Sequence, residues 1–454
     1  MTTPCVVGYV GLRSDYESAA ASLPAELERA KKNGIPTTAA EMAGVPPPGA
    51  TDATELVHEF ETAFNEADRA IKDQFGPRTS HMEMARFAQE NGTGNMASLR
   101  RMLDKHKRSL ELATSIANQK HFFIDRDWKK PWLTNFFELS QLKNACYVLC
   151  SRGHYKAKTS DFGGALADHN LARNVAQHAL ANRTYIGALV HIALRAIILR
   201  SYESLISMQA DNAENLKRIE RDIESWPESI DLIPVLKGEA YFNFKTFSHL
   251  KEATKDAKEQ SAEFGMSDEK SFPEWVKFPP SIPIETVQNA YAATSLRVWN
   301  DEFESLQKDD SLGQLVDRLA KTYIKMSQSQ RMTEKLVGTE SGAVLRVDEI
   351  TQKDSLSLKL HKALLKCMLF RTRNGRFPKD LGEVGLEIPD SNGKGNVKYI
   401  ATQSSCKIYS VGEDGKDDGG ERNMKDHPQA SFPAFSWQTP PAGKRVSPRR
   451  VAQP

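Results

Sequence analysis

The chain has 454 residues, with 61 Lys and Arg against 59 Asp and Glu, 39% hydrophobic residues and 26% charged residues. That is length for more than one core, and too much apolar content for wholesale disorder. The near-neutral balance, with no basic stripe interleaved with aromatics, lacks the electrostatic footprint of a nucleic-acid binder.

Residues 5–12 (CVVGYVGL) are an apolar run with no basic residue before it, too short for a signal core or a membrane span. The run reads as a clipped membrane anchor or as a buried end segment. Residues 13–33 read as an exposed helix with interleaved charges. Pro36 and Pro46 to Pro48 then exclude a helix interior across the following segment. Helical spacing predicts a helix over 53–75, with Leu56, Phe60, Phe64 and Ala67 on one face. It predicts a single helix over 96–118, carrying Leu99, Leu103, Leu110 and Ile116.

The pattern is densest over 135–208. Leu139, Leu142, Cys146 and Leu149 form an apolar stripe that Gly153 is expected to end. After Asp161 a helix should bury Ala165, Leu166, Ala172, Ala176 and Leu180. Residues 186–206 are apolar round most of the helix circumference yet carry His191, Arg195, Arg200 and Glu203, which marks a core helix and not a membrane span. These hairpins are similar to tetratricopeptide pairs, without a 34-residue period. Further helices are predicted over 213–226, 233–263, 284–307 and 313–334. A proline- and aromatic-rich loop over 271–283 holds Phe272, Trp275 and Phe278. After a helix over 347–373, the short apolar segments NVKYIAT and CKIYSVG indicate a small β-element.

Few residues are grouped for chemistry. In YSVGEDGKDDGGE (409–421), Asp414, Asp417, Asp418 and Glu421 lie among Gly415, Gly419 and Gly420. An oxygen-rich loop with free backbone turns suits a hard cation such as calcium. Lys416 breaks the EF-hand spacing, and the loop reads equally as a solvated turn after a strand. Cys146, Cys150 and His154 recur at spacing four on one helix face, with His169 or His178 as a fourth zinc ligand; the same stripe also reads as small core residues. Asp125 and Asp127 in IDRDWKKPW are either a carboxylate pair for acid–base work or part of a packing corner, and His191 reads as a satisfied core residue. Five scattered cysteines (Cys5, Cys146, Cys150, Cys367 and Cys406) make no disulfide framework and fit either redox compartment.

The end of the chain carries a resemblance. A helix leads into a G-x-[YF]-P-x-x-L turn at Gly375, Phe377, Pro378 and Leu381, and a strand ends in Y-S-x-G-x-D-G at Tyr409, Ser410, Gly412, Asp414 and Gly415. This resembles the globular part of the major pseudopilins of type II secretion, over about seventy of the 454 residues. The resemblance implies a small α+β module with calcium on Asp414, Asp417 and Asp418. Unlike the apolar N-terminal helix of pseudopilins, the helix here is internal and carries Lys359, His361, Lys362 and Lys366. The whole arrangement also resembles a set of bacterial helical proteins with a VPPP segment, a central hairpin and this ending, members of which often start with a membrane anchor.

The expected fold is mainly α: antiparallel helical hairpins followed by a small α+β pseudopilin-like module. The expected division is a helix and Pro-rich linker (1–50), a helical body (51–345), the module (346–438) and a disordered basic tail (439–454). The expected function is a non-enzymatic, extracytoplasmic or membrane-associated scaffold or interaction protein. It would engage a protein partner through a groove anchored by Trp128 or Trp275, bind no nucleic acid, and hold a structural Ca2+ on Asp414, Asp417, Asp418 and Glu421. The alternatives are an enzyme using dispersed carboxylates and histidines, and a cytosolic helical adaptor.

Overall fold

Apolar side chains recurring every three or four residues give a helix one buried stripe, and the computed structural model pairs these stripes into a mainly helical fold with one small antiparallel sheet near the C-terminus. It describes residues 13–46, 48–76, 94–263, 282–305, 312–329, 331–338, 341–391, 393, 395–412, 414–420 and 428–433. The 271–281 part of the aromatic loop with Trp275, Glu421, and the 439–454 tail lie outside the described residues.

Helix α1 (Leu23–Lys32) is followed by a short α2 (Ala39–Ala43), which fits between Pro36 and Pro46 because Thr38 and Glu41 form a reciprocal capping box. Helix α3 (Thr54–Phe75) buries Val57, Phe60, Phe64, Ala67 and Ile71. The single helix expected over 96–118 is two, α4 (Gly94–Lys105) and α5 (Lys107–Ala117). His106 leaves helical geometry between them and is buried, its ring 5.1 Å from Phe64.

Helix α6 (Phe137–Lys158) runs through Gly153, where an end was expected. The glycine serves close packing there. A Cβ at 153 would lie 2.7 Å from the imidazole of His169, on α7 (Phe162–His178). Helix α8 (Tyr185–Met208) starts on the Thr184 side chain, which accepts the Gly187 N–H, and α9 (Ala213–Glu224) follows. The stretch over 233–263 divides at His249 into α10 (Ile233–Ser248) and α11 (Leu250–Glu263). Then come α12 (Ile284–Glu304), α13 (Leu312–Ser327), α14 (Met332–Val337) and α15 (Ser341–Asn374).

Strands β1 (Lys398–Ala401) and β2 (Cys406–Tyr409) are the two expected ones, and β3 (Gln429–Phe432) adds a third in the order β1-β2-β3. The register pairs Tyr399 with Ile408 and Cys406 with Phe432. One face of the sheet, with Cys406, Ile408, Ala430 and Phe432, packs into the same core as α3 to α7, the second half of α8, α9 and the later part of α15. A second core joins α1, the first half of α8, α10, α12, α13, α14 and Val347 of α15. The two cores therefore do not follow chain order.

Helices α8 and α15 belong to both cores. On α8 the change-over lies between Ile192 and Leu194, and on α15 between Ile350 and Leu356. Arg195 pairs with Asp354 at this seam, and Glu203 faces His361 at 3.3 Å further along, so the two helices run in the same direction. Helix α8 is long and apolar enough to cross a membrane by length and composition; 61% of that window is buried inside the fold.

Candidate functional site

Strand β2 delivers the acidic loop, whose turns use positive φ at Gly412, Gly415, Gly419 and Gly420. Asp414 and Asp417 are exposed and Asp418 half-buried. Each carboxylate accepts the backbone N–H two residues on, at 3.1 Å, from Lys416, Gly419 and Gly420 respectively. Tyr409 also donates its hydroxyl to Asp417 at 2.8 Å, which holds that carboxyl below its ordinary range. The Lys407 ammonium donates to the Gly419 and Gly420 carbonyls, 3.1 Å each. Among the described residues, no group of three or more His, Cys, Asp or Glu side chains is gathered closely enough to hold a metal ion.

Cys146, Cys150 and His154 do share one face of α6, as their spacing implies, but they turn to different partners. The Cys146 thiol donates to the Ala172 carbonyl at 3.4 Å, while Cys150 and His154 both meet Ser201 of α8. Ser201 is the hub of a buried network. His154 Nε2 lies 3.0 Å from the Ser201 carbonyl and 2.9 Å from its Oγ, and His169 Nε2 lies 2.7 Å from the same Oγ. His169 Nδ1 faces the Ala165 carbonyl at 2.9 Å, so it carries that ring's proton. Its Nε2 is then an acceptor for the Ser201 hydroxyl, and His154 Nε2 donates.

Burial sets the protonation of this network. It pushes the Cys150 thiol up to about 12 and, with the neighbouring His169, brings His154 down to about 3. It lowers His169 as well. Beside them Asp168, also buried, holds Arg152 at 2.6 Å and Lys156 at 2.9 Å. Ser201 against a neutral imidazole is the arrangement of a nucleophile and its base. Here, however, Ser201, His154 and His169 are each 2% exposed or less, and the hydrogen bonds tie α6, α7 and α8 together.

The network leads outward through Tyr202. Its ring lies 4.9 Å from that of His169, and its hydroxyl donates to Asp222 of α9. Asp222 lines an open depression between α7 and α9, with Gly163, Leu166, Ala167, Asn170 and Arg218 among its walls. A second depression, between α3 and α5, is lined by Glu55, His58, Glu59, Glu66 and Arg108.

The Asp125 N–H donates to Asp52, and Asp127 accepts the Lys129 N–H. Trp128 is buried in the second core, its carbonyl accepting the Tyr241 hydroxyl at 2.6 Å, so this loop is a packing corner. Nothing in the sequence marks Tyr202, Asp222 or Arg218, and the only trace of Ser201 is the Cys150–His154 spacing that points across to it. Comparisons with known protein families, with curated proteins and with solved structures find no match for this chain.

Proposed function

We propose that the protein is a non-enzymatic scaffold or interaction protein that works outside the cytoplasm or at a membrane, its helical body presenting surface depressions to a protein partner. The observation that carries this reading is the fate of Ser201, His154, His169 and Cys150. The side chains best suited to nucleophilic chemistry are closed inside the helix packing, bonded to one another and to backbone carbonyls. In this reading Asp414, Asp417 and Asp418 hold a structural calcium ion, which requires the three carboxylates to leave their backbone N–H partners and converge.

The test uses the full chain. Immobilised protein is exposed to envelope and cytosolic extracts, and retained proteins are quantified by mass spectrometry. Saturable retention of a partner from the envelope fraction is the expected result. Labelling of Ser201 by a fluorophosphonate, abolished in Ser201→Ala, would instead establish a reactive serine and sink the non-enzymatic reading.

A further inference from the structure

The depression between α7 and α9 carries an unused cation. Arg218 stacks its guanidinium 5.1 Å above the Phe162 ring and lies over Gly163, where a Cβ would sit 3.6 Å from its terminal nitrogen. Among the described residues Arg218 makes no ion pair. The neighbouring charges are already engaged. Asp222 accepts from Tyr202 and lies 3.8 Å from Arg173, Arg173 also donates to Ser225 at 2.7 Å, and Arg221 lies 3.9 Å from Glu214 at the exposed rim. A guanidinium held over an aromatic ring without an ion-pair partner retains N–H donors for a carboxylate.

A further feature narrows the ligand. The floor between the charges is apolar, formed by Leu166 and Ala167. A free phosphate would satisfy Arg218 but brings no apolar surface. A peptide supplies both a carboxylate side chain and an apolar neighbour.

We infer that the α7–α9 depression is a docking surface for an acidic peptide segment of a partner protein, with a Glu or Asp carboxylate on Arg218 and an apolar side chain on Leu166 and Ala167. This rests on the interaction-protein reading above and names the surface and the partner chemistry. Attraction to Arg218 and Arg221 would make the association weaken with added salt.

The experiment measures fluorescence anisotropy of a labelled ELEELE peptide with the full chain. Saturable binding should weaken about tenfold in Arg218→Gln, the scale of one charge-assisted contact, and stay unchanged in Lys217→Gln on the same helix. Because Arg218 also packs on Phe162, a second pair of variants places the charge on the exposed floor: Ala167→Glu should abolish binding and Ala167→Lys should strengthen it. Three results would overturn the proposal: no saturable binding up to about 1 mM, equal losses in Arg218→Gln and Lys217→Gln, or full displacement of the peptide by phosphate or duplex DNA at equal charge. Extract retention repeated with Arg218→Gln separates the two readings. A partner held as well by the variant as by the wild type removes this surface and leaves the interaction reading intact, whereas retention of nothing by either chain removes that reading itself.

Discussion

Arg195 of α8 and Asp354 of α15, 159 positions apart in sequence, form a 3.1 Å ion pair whose two side chains are almost wholly shielded from solvent. Arg195 also donates to the Pro227 carbonyl at 3.1 and 3.2 Å and lies over the Trp226 ring at 5.5 Å. The pair stands where the two apolar cores meet. Removing one partner leaves the other as an uncompensated buried charge, so Asp354→Asn is expected to lower unfolding stability by about 3–5 kcal/mol. The double variant Arg195→Met with Asp354→Leu should recover most of that loss. Urea unfolding of the three chains checks both statements.

Stability should fall on mild acidification. Burial depresses His154 to about 3, His178 and His191 to about 4, and lowers His169, all from an ordinary 6.5. The unfolded chain therefore binds protons that the folded chain refuses, and the stabilisation present above pH 6.5 is lost as pH falls below it. Each histidine contributes about 1.4 kcal/mol per pH unit across that window. Asp354 acts oppositely: burial raises its carboxyl from 3.8 to about 6, and the cost of its charge fades below that pH. Four histidines outweigh one aspartate. Urea midpoints measured between about pH 7.5 and about pH 5 should drop steadily, and His191→Gln should reduce the slope. A flat profile would contradict these protonation states.

Gly153→Ala should destabilise the protein although alanine is the better helix former. The added Cβ would meet the His169 ring at 2.7 Å and the Ala165 carbonyl at 3.2 Å. The helix-propensity gain of about 1 kcal/mol is smaller than the overpacking cost of about 1–3 kcal/mol. Combining Gly153→Ala with His169→Ala should cost less than the sum of the two single changes, a coupling that thermal unfolding of the four chains measures.

Calcium is expected to raise the melting temperature through the loop after β2. Asp417→Ala should remove the rise, because Asp417 both accepts from Tyr409 and belongs to the proposed ligand set. No shift at saturating calcium, or the same shift in Asp417→Ala, would remove the ion from this loop.

Much of the helical fold is legible along the chain because burial imposes a period. The face of Phe60, Phe64 and Ala67, and the all-round apolar character of α8, follow directly from it. Punctuation is less legible. His106 and His249 end helices without proline or glycine, while Gly153, which reads as a stop, sits inside a helix because a neighbour needs the space. Strand β3 (QASF) has only Ala430 and Phe432 as apolar residues and lies between Pro428 and Pro433, so it lacks the apolar run that marks β1 and β2. The Ser201 network and the Arg218 surface were hidden for a different reason. Their members come from α6, α7, α8 and α9, and only tertiary packing brings them within bonding distance.

The parallel pairing of α8 with α15 bears on how the chain is made. Synthesis delivers every other described α-helix before Ser341 emerges, yet both apolar cores still lack the side chains that α15 contributes. A nascent chain at that stage displays two incomplete interiors at once and has no independently finished unit to fall back on. Larger chains usually fold piecewise from the N-terminus as they leave the ribosome. This one must wait for a late helix that enters both halves, and the first core waits longer still, for Cys406, Ile408, Ala430 and Phe432 of the sheet.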